Sequence, residues 1–166
     1  MLVLGVDPGT ETTGYGIVSE DDAGNLRAIS YGVIKTSKKQ SPEKRLQKIY
    51  KELKNIIFLN KPDSTAVEKL FFQKNVTNAI AVGQARGVIL LAACDSELDL
   101  AEYTPNEVKQ CVTGYGAADK KQVQEMVRIL LNLDMIPRPD DAADALAIAI
   151  CHLRYYRLGL IARKKI

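Results

Sequence analysis

The segment Leu2–Asp7 (LVLGVD) constrains this chain more than any other, because an apolar run closes on a carboxylate after only five residues. A run so short and so apolar fits a central strand covered on both faces, and the strand then delivers a charge at its end. Residues 64–68 (STAVE) repeat the pattern and end in Glu68. Pro8, Gly9 and Gly14 predict a tight turn after the first strand. Two further strands are expected at 14–19 and 26–36, around the polar turn Asp21–Asn25, so the chain opens as an antiparallel meander. Leu46, Ile49, Tyr50, Leu53, Ile56 and Ile57 recur at helical spacing behind Ser41 as N-cap and Pro42 at the first helical position, which predicts an amphipathic helix over 42–59. The same periodicity places a long helix at about 76–96, and a short strand is expected at 98–103. Thr104, Pro105 and Glu107 form one capping signature, and Asp119 with Gln122 forms another that opens a helix through Leu131. Pro137 and Pro139 end the next connection, and a final helix runs from about 141 to 158. The expected class is α/β, with a mixed sheet that is antiparallel at its start and built of βα units afterwards.

With 166 residues, 46% hydrophobic and 26% charged, the chain has material for one substantial core, so 1–166 is expected to be a single domain with a short basic C-terminal tail at about 159–166. Cys94, Cys111 and Cys151 are odd in number and lack a CxxC pair, and they read as buried thiols of a reducing cytosol. The apolar start is too short for a signal peptide and no charge-free run approaches a membrane span, so a soluble, cytoplasmic protein is expected. The net charge of +3 says little by itself about a polyanionic partner.

The acids say more. Asp7 and Glu68 are expected at strand ends and Asp141 at the start of a helix, on the rim of the sheet where open α/β folds build their sites. Asp141 and Asp144 are three residues apart and project from nearly the same helical face. Acids in a first helical turn also complement the helix dipole, and for Asp140 that account suffices. Asp144 differs, because it sits within AADALAIAI with no Lys or Arg inside one helical turn, and a buried unpaired carboxylate is costly. A cation is expected beside it. Carboxylate oxygens without His or Cys favour Mg²⁺, with Mn²⁺ as substitute, over zinc. The lone His152, two turns beyond Asp144, is read as structural. Two such ions can activate a water on one side of a phosphodiester and stabilise the leaving oxygen on the other.

The motifs LGVDPGTETTGYGI, VEKLFF, AVGQARGVI, EVKQCVTGYGAADKKQVQ and PDDAADALAIAI, in that order along nearly the whole chain, resemble the bacterial Holliday-junction resolvases of the RuvC type. The resemblance implies an RNase H-like fold: a central mixed five-stranded sheet, three antiparallel strands followed by parallel ones, with helices on both faces. It also implies an endonuclease that resolves four-way DNA junctions by paired symmetric nicks in recombination and repair, using two Mg²⁺ ions per site. By that match Asp7, Glu68, Asp141 and Asp144 take the catalytic and metal-ligand positions, with Asp7 bridging both ions. Phe71 takes the place of a base-stacking aromatic beside Phe72. Lys109 and Lys120 take positions that meet DNA phosphates, with Lys121 beside them. Lys69, Lys74, Arg154, Arg157, Arg163, Lys164 and Lys165 are expected to widen the basic surface. Ala79, Gly83 and Gly87 form a smooth stripe on the long helix, which serves either packing within the chain or the homodimer that the resemblance implies; a two-fold junction needs two sites. The RuvA and RuvB branch-migration complex is the implied partner. Two other readings stand beside this one. The stretch DPGTETTGYG also resembles the phosphate-binding hairpin of actin-like and sugar-kinase phosphotransferases, and a non-catalytic junction-binding module would keep the acids as structure.

Overall fold

The computed structural model describes residues 1–69 and 76–159, with the backbone alone at 76–78. Phe71, Phe72, Lys74, Arg163, Lys164 and Lys165 lie outside the described residues. Strands β1 (Leu2–Asp7), β2 (Thr12–Glu20) and β3 (Leu26–Lys35) form the meander, followed by α1 (Pro42–Asn60), β4 (Ser64–Glu68), α2 (Val76–Cys94), β5 (Asp99–Tyr103), α3 (Pro105–Thr113), α4 (Lys120–Leu130) and α5 (Asp140–Arg157). The described strands make one five-stranded sheet in the order β3-β2-β1-β4-β5. Pairing is antiparallel among β3, β2 and β1 and parallel from β1 through β4 to β5, as expected.

Alternation along the strands sorts the core into two layers. Val3, Val18 and Ala66 face α3, α4 and α5, while Leu4, Val6, Ile17 and Val67 face α1 and α2. Helix α5 is buried on nearly every side from Ala142 to Leu153, so it behaves as a core helix rather than an amphipathic surface one. Its approach to the sheet is unusually close. A Cβ at Gly5 would lie 2.1 Å from the carbonyl oxygen of Ala145, and one at Gly14 would lie 2.0 Å from that of Asp141. Gly14 was expected both to close the turn and to open the second strand, and only the strand assignment holds, since β2 already begins at Thr12. It is a strand residue paired with Asp7, not part of the turn, and its missing side chain is what lets α5 settle on β2.

Both capping boxes form, Thr104 with Glu107 and Asp119 with Gln122. Ser41 occupies the N-cap of α1, but its hydroxyl turns to the Glu43 carboxylate instead of a backbone N–H. His152 is structural, as expected: its ring nitrogens lie 2.9 Å from Ser64 Oγ and 2.9 Å from Tyr103 OH inside the core. Burial holds its pKa down at about 4, so it is neutral at physiological pH.

Candidate active site

Strand period and register together decide where the acids meet. In β1, Val3, Gly5 and Asp7 share the face that α5 covers, and in β4, Ser64, Ala66 and Glu68 share the same face. The parallel register pairs Val6 with Val67, so Asp7 and Glu68 emerge side by side from adjacent strand ends, about 4.8 Å apart in backbone spacing. Helix α5 begins directly above them, because the Asp141 carbonyl rests on Gly14, the partner of Asp7. Asp144 follows one turn later on the same side. Four carboxylates from three distant stretches thus share one rim.

Their electrostatics record this proximity. Burial is the largest cause that pushes Asp7 up to about 8, with repulsion from Glu68, Asp144 and Asp141 adding to it and Lys120 opposing. Burial likewise lifts Glu68 to about 7, helped by Asp144 and opposed by Lys109 and Lys120. Asp144 is also raised, again chiefly by burial, against the pull of Lys120. A set of acids that repel one another and shun ionisation is a set that a cation would stabilise.

One cation is already present in the chain. Lys120, the first residue of α4, places Nζ 3.0 Å from Asp144 Oδ2 and 3.5 Å from Asp140 Oδ2. The cation inferred from the Asp144 sequence environment is supplied across the fold by a residue 24 positions away, which no local reading of α5 reveals. Asp140 is more than a helix-dipole acid, since Arg138 also binds it at 2.6 Å. Among the described residues no three acids already close on a single cation position. The donor chemistry nonetheless fits a hard divalent ion, because every candidate ligand is a carboxylate and no thiol or imidazole intrudes.

Glu68, Lys109, Lys120 and Asp144 line a cavity of about 250 Å³, with Val108, Val123 and Ala147 as its apolar wall. Both lysines therefore reach the acids. Lys121 is exposed on the next position of α4 and Lys69 directly follows Glu68. Arg154 and Arg157 are elsewhere, in correction of the expectation that they widen the basic surface here. Helix α5 carries them to the opposite end of the sheet, where Arg154 donates to the Cys111 carbonyl and Arg157 lies 3.2 Å from Glu20.

The turn beside Asp7 has a brace that sequence reasoning missed. Thr13 Oγ1 donates to the Gly9 carbonyl at 2.6 Å, Thr36 Oγ1 donates to the Thr10 carbonyl, and Arg45 Nε donates to Thr36 Oγ1 at 2.9 Å. The burial of Thr13 shows only in the folded structure and no local sequence pattern marks it.

A family model described as crossover junction endodeoxyribonuclease RuvC matches residues 3–152. The chain belongs to the RuvC family. It is 54% identical over 159 residues to the crossover junction endodeoxyribonuclease RuvC of Syntrophomonas wolfei, across 96% of this chain and 92% of that one. Against the RuvC of Halothermothrix orenii it is 56% identical, across 96% of each chain. The Thermus thermophilus RuvC structure superposes with a TM-score of 0.90 at 37% identity, covering 96% of this chain and 98% of that one. The structure of T. thermophilus RuvC in complex with Holliday junction substrate gives 0.89 at 35%, with the same coverage. The yeast mitochondrial Holliday junction resolvase Ydc2 shares the fold, with a TM-score of 0.65 at 14% identity. The fold is RNase H-like.

Proposed function

We propose that this RuvC-family chain is a cytoplasmic endonuclease of recombination and repair that cuts four-way DNA junctions with paired, symmetric nicks. The observation that carries the reading is the meeting of Asp7, Glu68, Asp141 and Asp144 on one rim, where their mutual repulsion calls for cations. In this reading the whole chain acts as a single nuclease unit and those four acids hold two Mg²⁺ ions, or Mn²⁺ in their place. Bound there, the ions would activate a water toward the phosphodiester and stabilise the departing 3′ oxygen.

The chain's own residues do the rest. Asp7 and Glu68 are fixed by a paired sheet, so they need little reorganisation to act as ligands. Asp144 is paired with Lys120, whose ammonium would turn to a DNA phosphate as a metal ion took its place on the carboxylate. Lys109, on the opposite wall of the cavity, approaches the same region from α3. Lys121 extends this positive edge, and Phe71 and Phe72 supply, by the family resemblance, an aromatic surface for an unpaired base.

Two cuts need two sites, and α2 supports a homodimer. A Cβ at Gly83 or at Gly87 would meet nothing within 4 Å, so among the described residues nothing covers those two positions. Ile80 and Leu91 flank it at 62% and 53% exposure. A RuvA and RuvB complex is the expected partner for delivering the junction. Among the described residues no helix is long and apolar enough to cross a membrane.

The test is incubation with a synthetic mobile four-way junction and with a linear duplex of the same sequence, with Mg²⁺ and with chelator. Ligatable nicks at symmetric positions in the junction alone, and only with Mg²⁺, are expected. Equal cutting of the duplex would reject junction selectivity, and cutting in chelator would reject the role given to the acids.

A further inference from the structure

At the end of the molecule far from the acids, the β2–β3 hairpin, α4 and the last turns of α5 enclose a cleft of about 1500 Å³. Cys111 of α3 lines it, half-buried, while Cys151 of α5 is fully buried just behind. The two residues are 40 apart in sequence but interlocked in space. Cys111 Sγ donates to the Cys151 carbonyl at 3.9 Å and Cys151 Sγ donates to the Glu107 carbonyl at 3.9 Å, so each sulfur reaches the backbone of the other's helix. Arg154, one turn of α5 further on, donates to the Cys111 carbonyl and lines the same cleft. A half-buried thiol on the cleft wall, a second thiol behind it and a guanidinium beside them make up the arrangement of a nucleophilic cysteine with a resolving partner.

We propose that Cys111 and Cys151 form a peroxide-reactive dithiol that closes to a disulfide joining α3 to α5. The balance is complete with hydrogen peroxide as oxidant. The Cys111 thiolate attacks one peroxide oxygen, the O–O bond breaks, and the departing hydroxide takes up the thiol proton as water, leaving a sulfenic acid on Cys111. The Cys151 sulfur then attacks the Cys111 sulfur, the S–O bond breaks, and the second water leaves with the Cys151 proton. Both sulfurs are oxidised and both peroxide oxygens are reduced. The environment favours the first step, because a hydrogen bond from Cys151 and the charge of Arg154 hold the Cys111 thiol below the ordinary thiol range, against its burial. Cys94, expected to be buried, is instead exposed near the end of α2, with no such partner thiol among the described residues.

The bridge joins the helix that carries Lys109 to the helix that carries Asp141 and Asp144. Oxidation therefore fastens the two walls of the acidic site from behind, without touching a residue of the site.

The experiment uses the full chain with Cys94→Ser, treated with equimolar hydrogen peroxide, alkylated with iodoacetamide and measured by intact mass and peptide mapping. The expected product has lost two hydrogen atoms, takes no label at Cys111 or Cys151, yields one peptide pair linked through them, and returns to two labelled thiols after dithiothreitol. Its thermal midpoint should rise on the order of 5–10 °C over the reduced form, since the bridge closes a long loop. Two labelled thiols after peroxide, a disulfide between two chains, or unlinked Cys111 carrying added oxygens would each overturn the proposal. In a further Cys151→Ala variant, Cys111 should persist as a sulfenic acid trapped by dimedone; a folded variant with no adduct there would remove Cys111 as the attacking sulfur. If that variant fails to fold, the mass measurement on the Cys94→Ser protein decides alone.

Discussion

Replacing Asp7 by Asn separates the electrostatics of the acid cluster from its chemistry. Asp7 titrates at about 8 in the fold against 3.8 when unperturbed, so the folded protein holds a proton that the unfolded chain has released across that interval. Stability without metal must then fall as pH rises through the window. His152 works in the opposite direction, because its folded value of about 4 lies below the ordinary 6.5 and only the unfolded chain takes up a proton between them. Above pH 6.5 that opposing effect has ended, and the carboxylates act alone. One retained proton corresponds to about 1.4 kcal/mol per pH unit, and Asp7 passes from nearly full to half protonation between pH 6.5 and 8, which amounts to about 1–2 kcal/mol after allowing for its partial exposure. For a chain of this size that is roughly 3–6 °C in the thermal midpoint. Melts in chelator at pH 6.5 and pH 8 should show this loss in the parent protein and a clearly smaller one in Asp7→Asn, which should also be the more stable of the two at pH 8. Added Mg²⁺ should restore the parent at pH 8 and do little for the variant. Junction cleavage by the variant should fall at least about 100-fold, close to 2.7 kcal/mol of barrier. If parent and variant lose the same number of degrees between pH 6.5 and 8, the charge coupling assigned to Asp7 is wrong, whatever happens to activity.

Other outcomes follow from the same structure. Lys120→Ala removes the cation on Asp144 and should lower cleavage by about ten-fold or more while flattening the salt dependence of junction binding; unchanged values of both would remove Lys120 from the site. Gly14→Ala pushes a methyl group into the Asp141 carbonyl and should cost about 3 kcal/mol or more in denaturant melts, with cleavage lost even where the fold survives; a near-neutral result would contradict the close approach of α5. Between pH 6.5 and 4 the buried neutral His152 should offset up to about 3 kcal/mol of the stability that the raised Asp7 and Glu68 carboxyls gain as pH falls, and His152→Gln should abolish that offset in acid melts. Tyr103→Phe should cost about 1 kcal/mol through the hydrogen bond it removes from His152, measurable by urea titration.

The elements were legible where a local pattern decides them. The apolar run to Asp7, the helical repeat from Leu46 to Ile57 and the two capping boxes are each written within a few residues, and each formed. The meeting of the acids was legible at one remove, since strand ends and a helix start on one rim bring them together whatever the loops do. What was hidden depends on contacts between distant elements. Nothing near Asp144 announces that Lys120 will arrive from another helix. Gly14 read as a turn residue because a glycine after Pro8 and Gly9 resembles one, whereas its use is to leave room for a carbonyl of α5. Arg154 and Arg157 looked like a continuation of the basic surface, but four turns of helix separate them from Asp141, and a helix that begins at one end of the sheet must finish at the other. The Arg45–Thr36–Thr10 chain links α1, β3's end and the first turn, and no periodicity encodes such a link.

The seating of α5 on Gly5 and Gly14 has a mechanical consequence. At these two positions a helix carbonyl meets strand backbone with no side chain of the strand between them, so there the helix cannot settle any further onto the sheet. Any adjustment that cations or a DNA strand demand must come from the torsions of the carboxylates themselves and from the swing of the Lys120 arm. Half of the site is thus an anvil, and the adaptable half belongs to α3 and α4.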